Sequence, residues 1–396
     1  VDITAMIALV VALALFFDFT NGFHDTANAM ATPIATGAIK PRAAVALASG
    51  LNLVGAFLST EVAKTISSGI IREGSPGVHI TPELIFAGLI GAVVWNMFTW
   101  LRGLPSSSSH ALFGGLIGAA VVGIGVSSVN FSGIVSKVIL PAVAAPIIAG
   151  LSAWVCTRIA YAVTARRDPE TGQKLHQGRA GFRIGQIFTS SLVALSHGTN
   201  DAQKTMGIIT LLLISAGAQT PGSGPQWWVI AACAAAIGLG TYAGGWRIIR
   251  TVGTGLTEVR PAQGFSSEAS TAAAILASSH LGFALSTTQV TSGSVIGSGL
   301  GRRGTSIRWG TAGRIALGWV LTLPAAAVVG GLAAIVVGLG PGGVVAVALV
   351  GAAAILWMFL LNRRERVGHH NVVEVEEASE AVSFPARSRA GKGGQP

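Results

Sequence analysis

The sequence predicts an all-α polytopic membrane protein made of two inverted repeats, each with a broken first helix and a re-entrant hairpin. Three observations lead there. Of 396 residues, 51% are hydrophobic and only 11% are charged, against about 25% charged in a typical soluble domain. Mean hydropathy is +0.64, and the apolar residues fall in runs of roughly 18 or more, the length of a membrane span. Finally, short motifs recur in the same order in both halves, between loops whose charges place the halves in opposite orientations.

The first run, residues 3–17, is apolar except for Thr4 and then opens into "DFTNGFHDTANAMATP". It is too long for a signal peptide and lacks a basic leader, so it is expected to stay in the mature protein. Further spans are expected over residues 43–58, 84–100, 138–155, 227–246, 315–339 and 344–361. The 53 glycines suit close helix packing in a bilayer. Cys156 and Cys233 both sit in apolar runs and read as small core residues. The net charge of +10 comes from basic residues scattered among loops, so it is not a nucleic-acid footprint.

Loop charge sets the orientation. Arg158, Arg166, Arg167, Lys174, Arg179 and Arg183 outnumber Asp168 and Glu170, which places that loop in the cytoplasm. Residues 184–214 then cross to the uncharged "SAGAQTPGSGPQ", and 227–246 return to Arg247, Arg250 and Arg260. Residues 266–282 and 286–301 are two moderately apolar pieces with basic residues on both flanks. They predict a hairpin that enters and leaves on one face, with "LSTTQ" at its apex. The mirror-image hairpin in the first half has "LPSSSSH" at its apex, with Lys40 and Arg42 inside. The expected divisions are a membrane repeat over 1–162, a basic cytoplasmic loop over 163–184, a second repeat over 185–361 and a disordered cytoplasmic tail over 362–396.

The echoes between halves are individually short. "GFHDTANA" is answered by "GTNDAQKT" at an offset of 201 − 25 = 176, and "TISSGI" by "TVGTGL" at 251 − 65 = 186. "SSSHALFGGLIG" is answered by "STTQVTSGSVIG" at 286 − 107 = 179. Three echoes in order describe a duplicated, transporter-like architecture whose site lies between the repeats.

On a helix, Asp18, Asn21, Asp25 and Asn28 fall within about 80° of one another, and Thr32 and Thr36 extend that face. In the second copy His197, Asn200, Asp201 and Lys204 share a similar face. Interhelical hydrogen bonding would explain a lone Asn or Thr, but ionisable residues at matching positions of two repeats mark a functional path. Asp25 and Asp201 supply hard oxygen ligands for H⁺, Na⁺ or a divalent ion. The Ser/Thr apices sit at the starts of half-helices, where free N–H groups and the helix dipole favour an anion. Simple N-capping accounts for one hydroxyl per apex, and the remaining hydroxyls are left to grip a small tetrahedral oxyanion.

"NGFHDTANA", "SHGTNDAQK", "LPSSSSH" and "STTQ" together resemble the inorganic phosphate transporter (Pit or PHO4) family from about Thr4 to beyond Ile335. The resemblance implies phosphate held by Ser107, Ser108 and Ser109 with Ser286, Thr287 and Thr288. It implies coupling cations around Asp25, Asn28, Asn200, Asp201, Lys204 and Glu268, with His24, His110, Gln289 and Arg102 along the substrate path. His24 and Lys204 stand where the commoner motif has Asn, Gln289 replaces a His, and Asn52 stands where sodium-coupled relatives carry Glu. These departures are similar to the bacterial proton-coupled, low-affinity branch.

The implied function is a phosphate symporter of the cell membrane, coupled to H⁺, with Na⁺ as the alternative ion. Phosphate is carried free or as a metal complex, without an organic cofactor, and a homodimer is compatible with the sequence. An intramembrane metallo-enzyme using His24, Asp25 and Asp201 lacks any H-E-x-x-H or His/Cys cluster. A passive anion channel is disfavoured because buried carboxylates repel an anion. Outside the site, Arg102 reads as a counter-charge for phosphate or a snorkelling residue. Glu61 and Lys64 read as a mutual pair, His369 and His370 as solvated, and Trp100, Trp227 and Trp228 as interfacial anchors.

Overall fold

A computed structural model of the chain describes residues 3–69, 78–165, 176–362, 367–369 and 372. The described residues are almost entirely helical. In order they form α1 (Ile3–Ala35), α2 (Pro41–Gly55), α3 (Glu61–Gly69), α4 (Pro82–Leu101), α5 (Ser108–Gly123), α6 (Phe131–Ile134) and α7 (Leu140–Ala165). The second half gives α8 (His176–Ser215), α9 (Trp227–Ala243), α10 (Trp246–Thr254), α11 (Pro261–His280), α12 (Thr287–Gly301), α13 (Trp309–Val337) and α14 (Pro341–Asn362). Five of these helices are long and apolar enough to cross a membrane, six if the bent α9–α10 pair is one span.

The first helix of each half is not broken. α1 is continuous over 33 residues and α8 over 40. A polar side chain does not break a helix when its partners lie on neighbouring helices, because the backbone ladder stays intact. Pro33 falls in the last turn of α1, where it removes one hydrogen bond to the Ala29 carbonyl and the helix ends two residues later. The bend appears instead between α9 and α10, which meet at 69° at Gly244, a residue with φ of 73°. α7 runs to Ala165 and α8 starts at His176, both inside the stretch expected as a loop; residues 166–175 and most of 362–396 lie outside the described residues.

Packing partners repeat between the halves with their roles exchanged. α1 packs on α9 and α8 on α2; α5 packs on α13 and α12 on α7; α10 lies on α1 and α3 on α8. The echo glycines make two of these contacts possible. A Cβ on Gly22 would sit 2.4 Å from the Ile237 carbonyl oxygen of α9, and one on Gly198 would sit 2.1 Å from that of Asn52 on α2. Backbone meets backbone there, which no larger residue permits.

The bundle is apolar outside and polar inside. Ile148 of α7, Val320 of α13 and Leu349 of α14 are more than 60% exposed, as expected of side chains that meet lipid tails. Asp18, Asp25, His197, Asp201, Lys204 and Glu268 are all buried. Trp227 is an exposed anchor, but Trp100 is buried against Phe23 and Phe359, because the bend after α9 leaves an aromatic pocket for it. Cys233 is buried as expected, whereas Cys156 is only half-buried. His369 is half-buried, its ring centre 6.2 Å from that of Trp246, and His370 lies outside the described residues.

Replacing Gly198 with Leu is expected to lower the melting temperature of the detergent-solubilised protein strongly. Overpacking of this kind typically costs about 1–3 kcal/mol, and here the obstacle is backbone. Gly310→Ala, at a position where an added Cβ meets nothing within 4 Å, is expected to leave melting unchanged in the same fluorescence-detected size-exclusion assay.

Candidate functional site

Two hairpins carry matched tips. α4 ends at Arg102, turns at Gly103 (φ 62°), and restarts at α5. α11 ends at Leu281, turns at Gly282 (φ 72°), and restarts at α12. The turn glycines (282 − 103) and the cap serines (286 − 107) are both 179 residues apart. At each tip one hydroxyl caps the new helix: Ser107 accepts from the His110 N–H at 3.2 Å and Ser286 from the Gln289 N–H at 3.3 Å. The tips touch directly, since Ser109 Oγ donates to the Leu285 carbonyl at 3.4 Å.

The remaining hydroxyls converge on the motif carboxylates. Ser108 of the first tip donates to Asp25 Oδ2 and Thr288 of the second to Asp25 Oδ1, each at 3.1 Å. Thr287 donates to Asp201 Oδ2 at 3.2 Å. Asn28 donates its amide to Thr287 at 3.1 Å and Thr288 at 3.2 Å. Lys204 pairs with Asp201 Oδ1 and also donates to the Leu285 carbonyl at 3.2 Å. His24 Nδ1 lies 2.9 Å from Asp25 Oδ1, and its Nε2 faces the Ser106 and Thr99 hydroxyls at 3.4 and 3.5 Å. Side chains from α1, α8 and both tips thus form one connected centre.

His197, which the sequence places on the polar face of the second repeat without a site role, sits at the middle of this centre. Its Nε2 lies 2.8 Å from Asp201 Oδ2 and 3.8 Å from Asp25 Oδ2. The available signal was its i, i+4 spacing from Asp201 on one helical face. Ligand atoms of Asp25, His197 and Asp201 all lie within 4.8 Å of one another, which is a possible metal-holding group. Several acceptors facing the interior have no partner: Asn28 Oδ1, Asn200 Oδ1 and Gln289 Oε1. Buried acceptors without partners suit a ligand that brings O–H groups or a cation.

Other expected residues stand apart. Glu268 on α11 accepts from Thr189 at 2.9 Å, from Gln186 at 3.3 Å and from Thr32, a second polar knot between α1, α8 and α11. Asn200 donates to Ser279 of α11 at 3.2 Å. Asn52 bonds Thr241 at 2.7 Å and lies 3.3 Å from His197 Nδ1. His110 is buried at the first tip. Arg102 closes α4, and its guanidinium lies 5.4 Å from the centre of the Phe98 ring. Glu61 and Lys64 pair at 2.8 Å on the surface.

An apolar-coated bundle with a charged, hydroxyl-rich interior and several membrane-length helices defines a multi-pass membrane protein. Residues 21–330 match the phosphate transporter family. A probable low-affinity inorganic phosphate transporter of Mycobacterium tuberculosis is 53% identical over 373 residues, covering 93% of this chain and 86% of that one. A protein of the same description from Bacillus subtilis is 43% identical over 325 residues, covering 82% and 95%. Among solved structures, the sodium-dependent phosphate transporter has a TM-score of 0.73 and 23% identity, covering 85% of this chain and 99% of that one. That likeness is one of fold. The chain belongs to the phosphate transporter family.

Capping and reaching are separable roles. Ser107→Ala or Ser286→Ala is expected to reduce thermal stability by about 1 kcal/mol, the usual worth of an N-cap. Asp at either position, which also caps, should retain most of it in a thermal-melt comparison.

Proposed function

We propose that this protein is a secondary active symporter of inorganic phosphate in the cell membrane, driven by protons and able to carry phosphate together with a divalent metal ion. One observation carries the reading: both hairpin tips deliver hydroxyls to the same carboxylate, Asp25. Hydroxyls that now donate to Asp25 and Asp201 are the donors a phosphate oxyanion needs. The free N–H groups at the starts of α5 and α12 add to that attraction. The relatives' descriptions name inorganic phosphate as their substrate.

Two buried carboxylates would repel a bare anion, so phosphate must arrive with positive charge. The Asp25–His197–Asp201 group is suited to the metal of a metal–phosphate complex, which is cargo rather than a resident cofactor. The halves are taken to face opposite sides of the membrane, so that closing one tip and opening the other alternates access.

Lys204 supports the proton as driving ion. Its ammonium already occupies the space between the Asp201 carboxylate and the Leu285 carbonyl, both natural Na⁺ ligands. A Na⁺ about 4 Å from an ammonium is penalised by ~4 kcal/mol at an effective dielectric near 20, more than a weakly held ion returns.

The test is radiolabelled phosphate uptake into proteoliposomes under separately imposed H⁺, Na⁺ and Mg²⁺ gradients. Asp25→Asn and Asp201→Asn are each expected to abolish accumulation with expression intact; near-normal accumulation removes that carboxylate from the mechanism. Ser108→Ala and Thr288→Ala should each weaken phosphate affinity roughly 10- to 150-fold, from about 1.5–3 kcal/mol per hydrogen bond to a charged group.

Lys204→Asn is expected to lose proton-driven uptake. Wild-type uptake driven by Na⁺ at fixed pH, with no response to a proton gradient, would replace the proton by sodium in this reading.

A further inference from the structure

Four carboxylates among the described residues are buried: Asp18, Asp25, Asp201 and Glu268. Three are satisfied. Asp25 and Asp201 are held by hydroxyls and by His or Lys, and Glu268 by three donors. Asp18 differs. It is fully buried, and neither of its oxygens has a hydrogen-bond partner. Asn21, one turn further along α1, is equally buried with both amide atoms unpartnered. From α8 the Thr205 hydroxyl faces Asp18 and it too closes no hydrogen bond. Asp18 and Asn21 are therefore buried on α1 without a close hydrogen bond, and the Thr205 hydroxyl is the one side-chain donor acting on the Asp18 carboxyl.

The possible occupants differ in what they require. An oxyanion is excluded by the carboxylate. Lys204 is already committed to Asp201 and the Leu285 carbonyl, so it does not serve Asp18. A divalent metal normally takes six or more oxygen ligands, several of them charged, and Asp18 is the single carboxylate here. A proton needs only one oxygen to bind and one acceptor beyond it, and Asn21 Oδ1 or Thr205 Oγ1 supplies the acceptor after a small rotation. The titratable groups acting on Asp18 are His197, Asp201 and Lys204 from α8 and Cys233 from α9. An ionised carboxylate left without a donor inside a membrane bundle is costly.

We propose that Asp18 is the carboxyl that carries the coupling proton, beside Asn21 of α1 and Thr205 of α8 and outside the hydrogen-bonded phosphate centre. This rests on the proton-coupled reading above. Asp18 lies 25 − 18 = 7 residues before Asp25 on the same continuous helix, about 10 Å along its axis. A movement of α1 that exposes the phosphate centre therefore moves Asp18 with it. On the loading side a proton joins an Asp18 oxygen, forming an O–H bond and removing the charge. On the releasing side that bond breaks and the proton leaves to water, with no electron transferred. Protonation of Asp18 removes the one carboxylate charge on the moving face of α1 that lacks a close hydrogen bond, which ties phosphate movement to the proton.

The experiment uses the full chain in proteoliposomes loaded with a pH-sensitive dye. Wild type is expected to accumulate radiolabelled phosphate under an inward proton gradient and to acidify the lumen when phosphate is added. Asp18→Asn should keep phosphate–phosphate counterflow within twofold of wild type, which also shows that it folds. Its gradient-driven accumulation should fall at least tenfold, and its phosphate-evoked acidification should vanish; Asp18→Glu should restore both. Thr205→Val, which keeps the carboxyl and removes one acceptor, should shift the pH of half-maximal accumulation. Acidification by Asp18→Asn equal to wild type overturns the assignment alone. Counterflow lost together with accumulation in both Asp18→Asn and Asp18→Glu also overturns it, making the residue part of the fold or the phosphate centre. Wild-type uptake without acidification overturns the proton-coupled reading, and the assignment with it.

Discussion

Asp25 and Asp201 place two carboxyl groups in the buried middle of an apolar bundle, and most of the structure follows from holding them there. A carboxylate in that position needs donors within reach. Helical backbone offers none in mid-span, because its N–H groups are already used. The donors come instead from two places where helices start inside the protein. Each start requires a chain reversal, made by Gly103 and Gly282 in the left-handed region. Irregular backbone at that depth survives only when enclosed by protein, and the enclosing walls are α7 and α13.

The division of labour at each tip follows from the same constraint. One serine is spent on the new helix, satisfying a terminal N–H, and the next residues are left to point elsewhere. At the first tip Ser108 reaches the carboxylate while Ser109 reaches the opposite tip. At the second, Thr287 and Thr288 divide between Asp201 and Asp25. Asp25 is consequently bonded to both hairpins, and a change at either one is felt by α1. A ligand that competes for those hydroxyls loosens the hold of the tips on α1 while forming its own contacts. Binding and release of the helix are then a single event.

Local pattern made much of this legible. The paired tips were visible because each is a short code: a break in apolar character, a Ser/Thr run and basic or uncharged flanks. The polar face of α1 was visible because helical periodicity is fixed by geometry. The same reasoning misjudged the continuity of α1, since polar residues near a motif suggest a break only if their partners are local. Here the Thr288–Asp25 partnership spans 263 residues of sequence, a distance no periodicity encodes. Glu268 was singled out by resemblance, but its knot with Thr32, Thr189 and Gln186 belongs to three separate helices. His197 was legible only as part of the polar face it shares with Asp201, because its other partner, Asp25, lies on a different helix. Trp100 read as an anchor by residue type and proved to be core, because the α9–α10 bend makes an aromatic pocket that only the folded chain possesses.

The exchange of packing partners between halves also constrains biogenesis. α1 precedes α9 in the chain, yet its backbone-to-backbone seat is Ile237 on α9, more than 200 residues later. α2 likewise waits for Gly198 on α8. Insertion proceeds in chain order while docking does not. Until α8 and α9 emerge, α1 stands in the membrane with Asp18 and Asp25 lacking their eventual surroundings. The first half therefore completes its packing only once the second half is in the membrane, and the two mature as one unit.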